Sequence, residues 1–283
     1  MTILITGSSG KTARPLTALL KSTVQLLIAS RSGKEVDGIP AVKLDWSDTA
    51  TYANPFEHPQ AQSDPIQAVY LVSQPGNVDP SRALNHFIDV AQAHGVRRFV
   101  LLSAIREDES TSGTGKAHAY LKGLGVEWAV LRPTWFMENF SEQHHYPTIK
   151  KGSEFYSATG EGRISFVSTE DVAAVAYQAL MAIQPPNQDY IIVGGELLSH
   201  EDVAVLFTNI LGRQVRHVAI SPEQLVQRFT SFGLPATYAK RLADGENRAR
   251  RGEFAILNDV VAEVTGRPPI TLQEYIQKNK QVW

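Results

Sequence analysis

Along the first half of the chain, short apolar runs alternate with stretches whose apolar residues recur every three or four positions. The runs Thr2–Thr6, Gln25–Ser30, Ala41–Leu44, Ile66–Ser73, Arg98–Ser103 and Glu127–Arg132 predict strands. Between them, Thr12–Lys21, Asp48–Phe56, Pro80–His94 and Gly115–Leu124 carry helical spacing. Several runs, such as FVLLS at 99–103 and WAVL at 128–131, are apolar throughout rather than alternating. Strands of that kind are covered on both faces, which calls for a parallel sheet between layers of helices. The βαβα order then predicts an α/β fold with a doubly wound parallel Rossmann sheet.

The second half is less regular. Thr169–Met181 predicts a helix with Thr169 as its cap and Glu170 and Asp171 in its first turn. A strand follows at Asp189–Val193, ended by Gly194 and Gly195, then helices at His200–Leu211, Pro222–Phe232 and Pro235–Asp244. A last helix, Leu272–Lys280, starts after a Thr271 cap. The expected organisation is a dinucleotide-binding domain over 1–135, with 166–194 returning to it. Residues 136–165 and 195–283 would form a smaller, discontinuous, mainly helical substrate domain.

Composition narrows the function classes. The chain has 283 residues, 43% of them hydrophobic and 20% charged, an ordinary globular balance. A formal net charge of −2 gives no field that favours nucleic acid or an anionic membrane. The absence of cysteine removes disulfides, thiolate metal sites and cysteine nucleophiles together. No apolar run is long enough to span a bilayer, and the chain enters a motif at its first residues, leaving no room for a signal peptide. These features predict a cytoplasmic protein whose partner is a small molecule, with no nucleic acid and no membrane; nothing in the pattern specifies an oligomeric state. His144 and His145 are neighbours that point apart on a helix and lack a carboxylate pattern, so no metal is expected. Arg248, Arg250 and Arg251 read as a solvated face.

The first strand runs directly into Gly7-Ser8-Ser9-Gly10-Lys11-Thr12-Ala13, a G-x-x-G-x-x-A loop between strand and helix. Gly7 serves the tight turn, Gly10 the close approach of backbone to a pyrophosphate, and Ala13 the packing of helix on sheet. The helix N-terminus offers N–H groups and partial positive charge to phosphate, and Ser9, Lys11 and Thr12 sit beside it. At the end of the second strand, where an acid would hold a ribose 2′-hydroxyl, stand Ser30-Arg31-Ser32. A guanidinium suits a 2′-phosphate, so the predicted cofactor is NADP(H). Asp45 and Trp46 follow the third strand, where an adenine contact is expected, although Trp46 reads equally as core. Val72, Ser73 and Gln74 end the fourth strand beside the adenosine or ribose. Ser103 and Ala104 end the fifth and Pro133 the sixth, toward the nicotinamide, because ligands lie beyond the carboxyl ends of such strands. Trp135, Phe136 and Phe166 are candidates for an aromatic substrate pocket able to hold an indole-bearing cation. Asn139 and His118 are candidates to orient substrate.

Particular segments carry a family resemblance: GVEWAVLRPTWFMENF at 125–140, RFVLLSA at 98–104, HAYL at 118–121, YSATG at 156–160 and the tail KNKQVW at 278–283. Through them the chain resembles, along almost its full length, the NmrA-like atypical short-chain dehydrogenase/reductase family, and within it the fungal ergot-alkaloid reductases of the festuclavine/agroclavine dehydrogenase group. The resemblance implies NADPH-dependent reduction of a cyclic iminium to a tertiary amine on an indole-alkaloid skeleton. It also implies alternatives of the same superfamily: a quinone or carbonyl reductase, or a regulatory protein that senses dinucleotide without turnover. One departure stands out. Related reductases carry Tyr-x-x-x-Lys on the helix after the fifth strand; here that helix offers Lys116, His118, Tyr120 and Lys122 at other spacings. The formal match Tyr146–Lys150 comes after the sixth strand, and Pro147 disrupts helical geometry there unless it lies in a first turn. No catalytic side chain is therefore assigned. A ketone becomes an alkoxide on hydride addition and needs a proton donor, whereas an iminium becomes a neutral amine directly.

Overall fold

The computed structural model describes residues 1–107, 109 and 113–283. Its strands are β1 (Thr2–Thr6), β2 (Gln25–Ser30), β3 (Ala41–Lys43), β4 (Ile66–Leu71), β5 (Arg98–Leu102), β6 (Glu127–Pro133), β7 (Glu154–Ser157), β8 (Gln188–Ile192) and β9 (Arg216–Ala219). Its α-helices are α1 (Ala13–Leu20), α2 (Asn54–Glu57), α3 (Pro59–Ser63), α4 (Ser81–Ala93), α5 (Thr114–Gly123), α6 (Asn139–Glu142) and α7 (His145–Gly152), followed by α8 (Thr169–Met181), α9 (His200–Leu211), α10 (Pro222–Ser231), α11 (Ala236–Arg250), α12 (Val260–Thr265) and α13 (Leu272–Lys278).

The chain divides into two compact units. The first comprises Met1–Arg132 and Val172–Ile191. Its sheet has the order β3-β2-β1-β4-β5-β6-β8, and the paired registers from β3 to β6 are parallel. The order reverses between β1 and β4, which creates a crevice at their carboxyl ends. The core explains the uninterrupted apolar runs: Leu4, Leu27, Val69, Leu71 and Leu101 are all fully buried. Each such side chain contributes about 1.5–3 kcal/mol. Arg98, at the start of β5, ties the sheet to the end of α8. Its Nε donates to Glu127 at 2.7 Å and its Nη1 to the carbonyls of Leu180 and Ala182 at 2.8 and 2.7 Å. Those carbonyls would otherwise be orphans of a helix C-terminus.

The second unit comprises Pro133–Asp171 and Ile192–Trp283. It is mainly helical, with a small parallel pair of β7 and β9. Its core is ringed by Phe140, Phe155, Phe166, Phe207 and His200, whose ring centroids lie 5.5–6.1 Å apart in the pairs Phe140 makes with the other four. Chain closeness is extreme at Gly194, where a Cβ would come within 1.9 Å of the Phe166 carbonyl.

Several expectations need correction. Asp48–Phe56 is not one helix: a 3-10 turn at Thr49–Thr51 is capped by the Asp48 side chain, and a separate short helix, α2, starts at Asn54 with Pro55 in its first turn. Pro235–Asp244 extends to Arg250. Thr169 is the first helical residue of α8 rather than its cap; the Ser168 hydroxyl accepts from the Glu170 N–H at 3.2 Å. The β7–β9 pair went unpredicted because each strand is only four residues long with half-exposed positions.

Candidate dinucleotide and substrate site

The glycine loop has the backbone its sequence requires. Gly7 sits at φ +62°, and a Cβ there would lie 3.1 Å from the Val72 Cβ. Gly10 donates its N–H to the Gly7 carbonyl at 2.8 Å, and a Cβ on Gly10 would meet that same oxygen at 2.9 Å. Gly10 is thus demanded by the turn itself. Ala13 is fully buried where α1 meets the sheet. This close-folded turn at the start of an eight-residue helix suits a pyrophosphate, with Ser9 exposed and Lys11 half-buried beside it. Thr12 differs from expectation: its hydroxyl is buried and accepts from the Tyr70 hydroxyl at 3.0 Å, so its side chain serves the core.

Arg31 is exposed immediately after β2. The loop beneath it is set by Ser30, whose hydroxyl accepts from the Gly33 N–H at 3.2 Å and lies 3.3 Å from the Ser32 hydroxyl. Gly33 at φ +61° passes so close to Lys43 that a Cβ would lie 2.8 Å from its backbone nitrogen. Sequence reasoning overlooked this hydroxyl-and-glycine turn, although S-R-S-G is a turn signature. Asp45 accepts from the Ser47 N–H and hydroxyl at 3.0 and 2.7 Å. Those bonds, with lesser help from Arg31 and Lys43, hold its carboxyl below the usual range. Trp46 packs edge-on to Phe87 and Tyr52 at 5.4 and 5.9 Å, leaving part of its ring exposed. Val72, Ser73, Gln74, Ser103 and Ala104 are each partly exposed at the carboxyl ends of β4 and β5.

The helix after β5 commits its lysines and its tyrosine to carboxylates. Lys116 pairs with Asp79 at 2.6 Å and Lys122 with Glu109 at 2.7 Å, while the Tyr120 hydroxyl donates to Asp89. His118 is 2% exposed, with its ring 5.3 Å from Trp128. Burial, the leading cause, lowers its pKa. It is therefore neither solvated nor free to reach far.

In the second unit, Pro133 is buried and Trp135, Phe136 and Asn139 are half-buried. The Trp135 ring lies 5.9 Å from Phe254 and 6.1 Å from His200. Phe166 is only 2% exposed and belongs to the aromatic core. Glu138, passed over in the sequence reading, has a clear task. Its buried carboxylate accepts from the Thr169 N–H at 3.1 Å and the Ser168 hydroxyl at 3.2 Å, seating the start of α8. It is the one acid inside the apolar stretch WFMENF, and that was the available signal. Burial pushes its carboxyl up.

Two histidine and tyrosine expectations change. His144 precedes α7 and His145 begins it, so their rings meet instead of diverging, with Nε2 atoms 3.1 Å apart. No group of three side chains able to hold a metal occurs among the described residues. Pro147 does lie in the first turn of α7, and Lys150 Nζ donates to the Tyr146 hydroxyl at 2.9 Å. Lys150 also donates to the Val282 carbonyl at 2.9 Å on an exposed surface. Arg248 and Arg251 both pair with Glu253. Among the described residues no helix is long and apolar enough to cross a membrane.

With this geometry in hand, comparison with known proteins is informative. An NAD(P)H-binding family model matches residues 7–182. The agroclavine dehydrogenase of Claviceps fusiformis is 38% identical over 287 positions, covering 100% of this chain and 99% of that protein. The festuclavine dehydrogenase of Aspergillus fumigatus is 40% identical over 290 positions, again covering 100% and 99%. An NADPH-dependent quinone oxidoreductase from Escherichia coli, solved with NADPH, matches in fold with a TM-score of 0.80 at 23% identity, covering 98% of this chain and 99% of its own.

Proposed function

Since the chain belongs to the NAD(P)H-binding, NmrA-like reductases and to the group of the festuclavine and agroclavine dehydrogenases, we propose that it reduces a cyclic iminium of the clavine type to a tertiary amine with NADPH. The observation that carries the reading beyond an NAD(P)H-dependent oxidoreductase is the full-length identity of 38–40% to two clavine dehydrogenases. The helix after β5 supports it. Lys116, Tyr120 and Lys122 are bound to carboxylates there, and His118 is buried, so that helix shows no Tyr–Lys pair set for an alkoxide.

Gly7, Ser9, Gly10 and Lys11 would hold the pyrophosphate and Arg31 the 2′-phosphate, with Asp45, Trp46, Val72, Ser73 and Gln74 along the adenosine. When bound, the dihydronicotinamide supplies a hydride. The chain's own work is orientation: Ser103 and Ala104 after β5 and Pro133 at the end of β6 would border the nicotinamide. Trp135 and Phe136 offer part-exposed rings to a cationic indole alkaloid, and Asn139 orients it. Phe166 acts from behind, as core.

NADPH oxidation at the nicotinamide absorbance, run with cyclic iminium clavine precursors beside simple quinones and ketones, tests the reading. Turnover confined to iminium substrates is the expected outcome. Turnover of quinones alone would replace it with a quinone reductase, and tight NADP(H) binding with no turnover would replace it with a dinucleotide sensor.

A further inference from the structure

A hydrogen-bonded chain of three side chains runs inward from the carboxyl end of β5. Ser103 follows that strand, and its N–H extends the ladder to the Leu131 carbonyl at 2.8 Å. Its side chain is partly exposed. Its hydroxyl lies 2.7 Å from the hydroxyl of Thr114, the buried first residue of α5. Thr114 in turn donates both its N–H, at 2.7 Å, and its hydroxyl proton to one carboxylate oxygen of Glu107. Glu107 is only 9% exposed. Room for its carboxylate exists because residue 113 is glycine, at φ +74°; a Cβ there would stand 2.8 and 3.0 Å from the two carboxylate oxygens.

The direction of this chain follows from counting protons. A hydroxyl has one proton to give. The Thr114 proton goes to Glu107, so the 2.7 Å contact with Ser103 uses the Ser103 proton. The Glu107 carbonyl, 3.5 Å from the Ser103 oxygen, is too distant to compete for it. Ser103 therefore turns its lone pairs outward: it meets a ligand as an acceptor backed by a carboxylate. An acceptor of this polarity suits a cation and opposes an atom that becomes an oxyanion.

We propose that Glu107, Thr114 and Ser103 form a two-hydroxyl relay that selects cationic nitrogen heterocycles over neutral oxygen compounds of the same shape at the carboxyl end of β5. The proposal rests on the reading above that the substrate is cationic, and its test is a binding measurement that needs no turnover. The NADP⁺-loaded protein is titrated calorimetrically with protonated tetrahydroisoquinoline and with isochroman, its neutral oxygen counterpart. A charge-assisted hydrogen bond predicts a preference for the amine of about tenfold or more. Glu107→Gln, which keeps the shape and removes the charge, reduces that preference at least about threefold and leaves isochroman binding unchanged. Thr114→Val breaks the relay in the middle and has the same effect. Unaltered NADP⁺ affinity and an unchanged far-ultraviolet circular dichroism spectrum show that each variant is folded; if Glu107→Gln does not fold, Thr114→Val carries the test. Equal affinity of the wild type for the two probes, no binding of the amine, or an unchanged preference in folded variants overturns the relay. Iminium turnover is scored separately, so a protein that prefers the amine but reduces no iminium keeps the relay and loses the substrate reading.

Discussion

We propose that cofactor choice turns on Arg31. It emerges exposed from a turn fixed by Ser30 and Gly33, and the carboxylate near it, Asp45, is already engaged by Ser47. A guanidinium so placed is available to a phosphate and gives nothing comparable to a bare ribose hydroxyl. Arg31→Ala should weaken NADPH binding by about 1.5–3 kcal/mol, the worth of a charged hydrogen bond. NADH binding should change little; fluorescence titration of both cofactors measures the difference, and equal losses would dissociate Arg31 from the 2′-phosphate. Single residues also show what a sequence conceals. Gly7 and Ala13 were readable because spacing along a strand–turn–helix motif fixes the tight turn and the helix packing, whereas Gly10, expected to make room for a pyrophosphate, is required by its contact with the Gly7 carbonyl. Thr12 and Phe166 were not, since their side chains turn inward, to Tyr70 and to the aromatic core. Spacing cannot tell the two orientations apart.

At the level of elements, the helix starts were the most legible feature of the second unit. The starts at His200, Pro222 and Leu272 match the sequence reading; of their caps only Thr271 was named there, yet Ser199, Ser221 and Thr271 each cap a helix reciprocally with the residue three positions on. For α9 the Ser199 hydroxyl accepts from the Asp202 N–H at 3.1 Å, and the Asp202 carboxylate accepts from the Ser199 N–H at 2.9 Å. Ser199→Ala should lower stability by about 1 kcal/mol. Urea denaturation should show an earlier midpoint with an unchanged slope; a midpoint at the wild-type value would mean that packing of α9 outweighs its cap. Most of the elements that escaped prediction share a cause. β7, β9, α3, α6 and α12 are four to six residues long, too short for a period to declare itself, and they form because tertiary contacts hold them; α7 is longer, at eight residues, and was hidden by its proline. The Tyr146–Lys150 contact was concealed by Pro147, whose effect depends on its place in the turn and not on its identity.

Over the whole molecule, the parallel sheet was legible from its apolar runs, because a strand covered on both faces has no polar positions to confuse with a helix period. The titration of the second unit was not, since it depends on what folding buries. Burial drives His145 and His217 down, and His200 to about 3. An unfolded histidine titrates near 6.5, so the unfolded chain takes up protons that the native one refuses. Stability from these residues is full above about pH 6.5 and is lost as the pH falls toward the native values. Glu246 acts in the opposite sense. Its carboxyl, buried and bonded to the Ala158 N–H, is raised from 4.5 to about 8, chiefly by burial. Its contribution is full below 4.5 and is lost as the pH rises through about 8. Thermal melting followed across pH should therefore peak at about pH 6 to 7. Glu246→Gln should flatten the alkaline limb, whose slope from one such group is at most about 1.4 kcal/mol per pH unit. A limb equally steep in the variant would assign that slope to other groups.

The strand order also bears on how the chain is made. The neighbour of β6 in the sheet is β8, which is synthesised only after the intervening segment of the second unit. Until then β6 is an open edge whose Ala129, Val130 and Leu131 are wholly buried in the finished protein. At roughly 5–20 residues added per second, the roughly fifty residues in between keep that edge exposed on the ribosome for some 3–10 seconds. Open apolar edges recruit other strands. A fragment ending at Arg132 accordingly keeps β6 as a permanent open edge, and should aggregate more readily than the full chain.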